Sequence, residues 1–226
     1  MKKYTLYFLL LILISSCGIS EDCFKGNGNQ ITQTFPLENF TKIKVYDGVG
    51  LVVKEGPNYE VKIVTSDNII DNIDVKLEGS MLVVKDNSTC NVARDYGQTT
   101  VYVTIPDGTI LPLIPELELQ SKTEQKIQSD GVLHSTIVRL FSLGDDGDGA
   151  GTGDFYINVD NSQFVVESNT VSNFYINGHS NEMLLNFYFG NGRFNGKDLH
   201  IELIKVYHRG SNDMFVYPVQ KIEGII

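Results

Sequence analysis

The chain has 226 residues, 42% of them hydrophobic and 10% aromatic, which is enough apolar side chain for a globular core. It carries 28 acidic against 18 basic residues, a net charge of −10. That balance excludes nucleic acid as a partner, because neutralising phosphates needs a basic face. It also offers no polybasic grip on anionic lipid.

The first residues form a processing signal. Lys2 and Lys3 precede an apolar run from Tyr4 to Ile14, and small residues follow in Ser15-Ser16-Cys17. The run is shorter than the roughly 20 residues that cross a bilayer. Residues 1–16 read as a lipoprotein signal peptide, with Cys17 as the lipidated N-terminus and a lipid anchor as the contact with a membrane. The alternative is an ordinary secretory signal with an incidental cysteine. Without the signal, 210 residues remain; Lys2 and Lys3 leave with it and no acid does, so the net charge becomes −12. Glu21-Asp22 resembles the export signal that sends lipoproteins of the Bacteroidetes to the outer face of the outer membrane. A periplasm-facing position is the alternative.

With Cys17 assigned to lipid, Cys23 and Cys90 are an even pair in an oxidising compartment, and a disulfide between them is expected. The other possibility is two free thiols. Residues 17–39, including Gly26-Asn27-Gly28-Asn29, read as a tether.

Short alternating apolar runs punctuated by Gly, Asn, Asp and Ser follow. The pattern predicts strands at Lys42–Tyr46, Leu51–Glu55, Tyr59–Thr65, Ile73–Leu77, Met81–Lys85 and Thr99–Ile105. A helical turn is expected at Ser66–Asp71, capped by Ser66 or Asp67. Three prolines in Pro106–Pro115 mark a seam, whose Ile110, Leu111, Leu113 and Ile114 are too apolar for a solvated linker.

The second half repeats. Phe155-Tyr156-Ile157-Asn158 recurs as Phe174-Tyr175-Ile176-Asn177, with Phe194 and Met214 at further steps of 20; Phe164, Leu184 and Ile204 step likewise. Asn158, Asn177 and Asn195 are placed at corners. A period near 20 with turn residues at fixed phase is a solenoid signature. Each coil would stack its apolar residues on those of the coil below. The expected fold is all-β, a parallel β-helix or β-solenoid with coils of about 20 residues. A β-sandwich with evenly spaced strands is the alternative.

Asp22-Cys23-Phe24, Val45-Tyr46-Asp47-Gly48-Val49-Gly50-Leu51-Val52-Val53, Asn68–Ile73 running on to Met81–Val84, and the Gly-rich turns at Gly151–Asp154 and Gly210–Asp213 together resemble the head GIN domain of auto-transporter adhesins, a family of Bacteroidetes lipoproteins. The resemblance covers about residues 40–226, with an N-terminal β part to about 105 and a solenoid part from about 116. It implies an all-β fold with right-handed parallel β-helix character. The family usually continues past Ile222–Ile226, so either the sequence is truncated here or the last coil is uncapped and open to edge pairing.

Candidate chemistry is sparse. Asp145, Asp146, Asp148 and Asp154 lie in a Gly-rich loop and could supply oxygens to Ca2+, although the spacing fits neither an EF-hand nor a calcium nonapeptide repeat. The bland reading is an exposed loop whose charges aid solubility. His134, His179, His200 and His208 lack metal-ligand spacing. No nucleophile or phosphate-loop motif is present, and a lyase would need carboxylates beside a base. The chain is therefore read as no enzyme. Tyr156, Tyr175, Tyr188 and Tyr207 alternate out of phase with the core positions and could line a platform for a glycan or protein ligand; core or edge packing is the alternative. The expected role is adhesive or ligand-binding at the cell surface. The rival is a structural scaffold that self-associates, or a periplasmic envelope protein.

Overall fold

The computed structural model describes residues 21–144, 147 and 149–226. Residues 1–20, with the expected signal peptide and Cys17, and Asp145, Asp146 and Asp148 lie outside the described residues. The described chain is all-β apart from two short 3-10 turns, at Glu21–Phe24 and Ile70–Asn72. The strands in chain order are β1 (Gln30–Phe35), β2 (Lys42–Tyr46), β3 (Val49–Gly56), β4 (Glu60–Ser66), β5 (Ile73–Glu78), β6 (Met81–Asp86), β7 (Thr99–Pro106), β8 (Glu116–Lys122), β9 (Ile127–Leu133), β10 (Ile137–Ser142), β11 (Phe155–Ser168), β12 (Phe174–Phe187), β13 (Phe194–His208) and β14 (Met214–Ile225). No helix among the described residues is long and apolar enough to cross a membrane.

The six strands expected between residues 42 and 105 form within two residues of the predicted ends. Alternation is the cause: in β2, Ile43 and Val45 are buried while Lys42, Lys44 and Tyr46 are less so. The helical turn expected at Ser66–Asp71 is a 3-10 turn begun by Ile69 with no side-chain cap. Ser66 Oγ instead accepts the Asn68 N–H, and Asp67 accepts the N–H of Asn29.

The strands make one sheet that doubles back. Its order runs β1-β4-β7-β3-β9-β11-β10-β8-β2-β6-β5, with β12, β13 and β14 added successively beyond β11. β11 belongs to two walls. Its first part pairs with β9 and its second with β10, so the chain bends between them near Asp160–Ser162. β12 and β13 lie in parallel on β11 along nearly their whole length and follow the same bend. Pairing is parallel throughout the stack, but β1–β4, β4–β7 and β5–β6 are antiparallel. The sheet is thus mixed, not the purely parallel helix expected from the sequence. Of the three antiparallel pairs, β5–β6 is a hairpin closed by Gly79-Ser80, whereas β1–β4 and β4–β7 join strands that other strands separate in the sequence.

The period of about 20 is real in β11–β14. Phe155 faces Phe174, Phe174 faces Phe194, and Phe194 faces Met214. The column extends backward through Ile127, Leu51, Val101 and Ile63. Phe155 and Phe174 stack with centroids 4.7 Å apart. The second expected series is shifted: Phe164 faces Met183, which faces Ile204, whereas Leu184 faces Val165 and Lys205. The Asn column is shifted too. Asn158 accepts from Asn177 Nδ2 at 3.1 Å, but Asn177 faces Asp198, and Asn195 faces Tyr175. A bulge in β13, one residue longer than β12, causes the latter shift. At the seam Ile114 is buried as expected, while Ile110 is exposed.

Residues 21–39 are less of a tether than the sequence suggested. Cys23 is joined to Cys90 by a disulfide, and β1 pairs antiparallel with β4. Asn27 is fixed by Asp95 and Gln98.

Candidate functional site

Next to the buried Phe155 column runs its outward neighbour, offset by one residue. Because side chains alternate across a strand, residues one step along from a core column share the solvent face. The row reads Thr34, Lys62, Tyr102, Val52, Gln128, Tyr156, Tyr175, Asn195 and Phe215, one side chain from each of nine adjacent strands. Tyr102 and Tyr156 are 42% and 39% exposed, so the row is accessible.

Tyr156 and Tyr175 stack with centroids 4.8 Å apart and planes 11° from parallel. That is the strand spacing, imposed by their in-register positions. Lys126 Nζ lies 5.0 Å from the Tyr156 ring centroid, and Lys197 Nζ lies 4.4 Å from that of Phe215. The ring faces of the Tyr156–Tyr175 pair are therefore partly taken by each other and by an ammonium. Tyr156 is exposed and Tyr175 half-buried. Burial, with the charge of Asp154 and the neighbouring Tyr175, raises the Tyr156 phenol above its usual range. It stays a neutral hydrogen-bonding group at physiological pH.

Two cavities open on the same wall. A groove of about 280 Å³ lies around Tyr102, Val52 and Lys62. A larger cleft of about 740 Å³ adjoins it and is lined by Phe35, Leu37, Tyr59 and Glu55. Lys54, Glu60 and Thr104 border both. Within the cleft, Glu55 is held by His134 Nδ1 at 2.7 Å, and Glu60 pairs with Lys62 at 2.8 Å.

The four tyrosines singled out in the sequence do not form one platform. Tyr156 and Tyr175 sit at the start of β11 and β12. Tyr188 and Tyr207 make a separate pair at the other end of β12 and β13, with centroids 6.0 Å apart. Tyr188 donates to Glu167 at 2.7 Å, and burial together with that carboxylate pushes its phenol up to about 12. The second pair is thus engaged in its own hydrogen bond.

A buried lysine reaches two carbonyls on either side of the acidic residues. Lys122, only 4% exposed, donates from Nζ to the carbonyls of Leu143 at 2.6 Å and Gly149 at 3.0 Å. Asp154, the described one of the four aspartates, accepts both the backbone N–H and Nδ2 of Asn173 at 3.0 Å, which ties one turn to the next. Among the described residues no three His, Cys, Asp or Glu side chains converge as metal ligands.

Sequence reasoning found the Tyr156–Tyr175 pair through the 19-residue repeat. It missed Tyr102, Lys62, Gln128 and Phe215, because the strand order β4-β7-β3-β9-β11 is not sequential and no spacing connects these residues.

Fold and face together define an all-β stacked-strand protein with a long, exposed, polar-aromatic side-chain row. The chain belongs to the family described as "Putative auto-transporter adhesin, head GIN domain", whose model matches residues 39–226. Its fold is similar to that of a solved protein titled as a putative adhesin from Bacteroides fragilis, at 16% identity, a TM-score of 0.71, and coverage of 88% of this chain and 86% of that one. A second, titled as a putative adhesin from Parabacteroides distasonis, aligns at 9% identity with a TM-score of 0.51, covering 89% of this chain and 99% of that one. No curated protein matches the sequence.

Proposed function

We propose that this protein is a non-catalytic lipoprotein of the bacterial outer membrane, acylated at Cys17 and exposed at the surface, which binds a glycan or protein ligand. The observation that carries the reading is the row Tyr102–Gln128–Tyr156–Tyr175–Phe215 on one accessible wall, beside the 280 and 740 Å³ cavities. Phenol hydroxyls, amides and two lysines suit a ligand rich in hydroxyl or carbonyl groups. With the Tyr156 and Tyr175 faces partly covered, recognition runs through hydrogen bonds at ring edges more than through sugar stacking. Family membership supports a surface or envelope location, and the right-handed coil expected for such folds follows the general handedness of parallel crossovers.

Binding of the purified protein to glycan and extracellular-matrix arrays tests the reading. Replacing Tyr156 and Tyr175 together by Ala should weaken capture about tenfold, roughly 1.4 kcal/mol, while Tyr188→Ala leaves it unchanged. A protein that binds no glycan, matrix protein or cell is not an adhesin. Protease shaving of intact cells tests the location: protection until lysis places the protein in the periplasm. A scaffold role is the second reading, favoured by β14, which pairs with β13 alone and leaves Val219, Ile222 and Ile225 exposed. Concentration-dependent oligomers in sedimentation would support it.

A further inference from the structure

The described chain begins with a compact unit that neither the core nor the aromatic face explains. Residues 21–29 and the loop 87–98 are joined by the Cys23–Cys90 disulfide. Arg94 Nη1 donates to the Asp22 carbonyl at 3.1 Å, and the Thr89 N–H donates to the Asp22 carboxylate at 3.2 Å. Asn27 exchanges two hydrogen bonds of 2.8 Å with Asp95 and accepts a third from Gln98 at 2.7 Å. A segment so heavily cross-linked does not wave in solvent. Yet it holds Phe24 at 70%, Val92 at 78% and Tyr96 at 79% exposure. Among the described residues no other aromatic side chain is as exposed. Apolar side chains held rigidly in water mark a surface that meets something less polar.

The position of Cys17 says what that is. Seven residue steps separate Cys17 from Phe24, a reach of at most about 25 Å when fully extended. If Cys17 carries acyl chains, this unit cannot leave the neighbourhood of the bilayer. Its charge agrees. Glu21, Asp22 and Asp95 stand against Lys25 and Arg94, a net −1 in a chain of −10, so the unit escapes most of the repulsion an acidic protein meets at an anionic surface. Phe24 and Tyr96 are of the kind that settles at the headgroup level, apolar in body and, for Tyr96, polar at the tip.

We propose that this disulfide-joined unit rests on the lipid surface in which Cys17 is anchored, with Phe24, Val92 and Tyr96 seated among the headgroups, so that the domain is oriented on the membrane and not merely leashed to it. The proposal rests on the lipoprotein reading given above.

The absence of tryptophan from the whole chain makes a direct test available. Phe24→Trp, Tyr96→Trp and, on β14, six strands away from β7 in the sheet, Tyr217→Trp each introduce a single indole at an exposed site. Each full-length lipoprotein is purified from membranes and reconstituted in phosphatidylethanolamine–phosphatidylglycerol vesicles with brominated acyl chains. Indoles at positions 24 and 96 should emit to the blue of the one at 217 and lose intensity to the brominated lipid, while the indole at 217 does not. Equal, unquenched emission from all three sites overturns the docking. Mass spectrometry of Cys17 separates the two ideas: an acylated protein with unquenched indoles refutes the docking alone, whereas an unmodified Cys17 refutes the lipoprotein reading and the docking with it.

Discussion

Phe174→Ala should remove the central contact of the stacked coils. Phe174 is fully buried. It stacks on Phe155 with centroids 4.7 Å apart and meets Phe187 edge-on at 5.6 Å. Truncating a buried Phe typically costs about 3–5 kcal/mol through lost transfer energy and a residual cavity. Two ring pairs, each about 0.5–1.5 kcal/mol beyond area, place this site in the upper part of that range, about 4–5 kcal/mol. For a chain of this length that corresponds to a fall in Tm of roughly 10–15 °C. Urea unfolding followed by circular dichroism measures it, with the midpoint falling and the slope unchanged. The location of the damage is also specified. Coils in such a stack depend on their nearest neighbours, so hydrogen exchange should show β12, β13 and β14 losing protection while β2 and β8 keep theirs. A loss under about 1.5 kcal/mol, or protection lost equally in β8 and β13, would refute the packing argument.

Gly178 has φ +113°, and a Cβ there would lie 2.0 Å from the Val159 carbonyl oxygen. Gly178→Ala should cost more than about 2 kcal/mol, whereas Gly131→Ala, at φ +99° with open space around it, should cost about 1 kcal/mol from backbone strain alone. Both are read by thermal unfolding. Reducing the Cys23–Cys90 disulfide, which closes 67 residues of sequence, should remove about 2–4 kcal/mol, visible as a lower Tm with dithiothreitol that Cys23→Ser/Cys90→Ser no longer shows. Lys122→Met leaves the carbonyls of Leu143 and Gly149 without their ammonium donor and should cost about 1–3 kcal/mol. Millimolar calcium tests the Asp145, Asp146, Asp148 and Asp154 loop as a metal site: a calcium-dependent rise in Tm would support that reading, and an unchanged Tm would refute it. Asp22 is held well below the usual carboxylate range by hydrogen bonds from the Lys25 side chain, the Thr89 N–H and Asn72. A depressed folded-state pKa stabilises above the unfolded value near 4 and is lost as pH falls below it. Acid titration should therefore loosen the joint between 21–29 and 87–98, and Asp22→Asn should flatten that dependence.

The strands from 42 to 105 were legible because each carries a clean alternation bounded by Asp-Gly, Gly-Pro-Asn or Gly-Ser turns. The Phe155–Phe174–Phe194–Met214 column was legible because parallel coils convert a sequence period directly into a spatial one. The second column was misread by one residue, at Leu184 instead of Met183. Both are apolar, and only the register across the bend decides which points inward. Asn195 was misplaced because β13 has a bulge, which leaves no mark in a repeat count. β1 went unseen because Gln30–Phe35 has little apolar alternation; its partner β4 supplies the reason it is a strand. The contacts of Lys122 were invisible, since they depend on carbonyls 21 and 27 residues away.

The candidate face and the core are the same fact seen from two sides. Tyr156 follows Phe155 and Tyr175 follows Phe174, so the register that stacks the phenylalanines also stacks the tyrosines. A slip of one residue would turn every phenylalanine of the column out to water and every tyrosine of the row inward. The burial of Phe155, Phe174 and Phe194 opposes that slip at each coil, by roughly 1.5–3 kcal/mol per ring. The surface row needs no contacts of its own to be straight. Its geometry is held by side chains a ligand never touches, which leaves Tyr102, Gln128, Asn195 and Phe215 free to differ between relatives without endangering the fold.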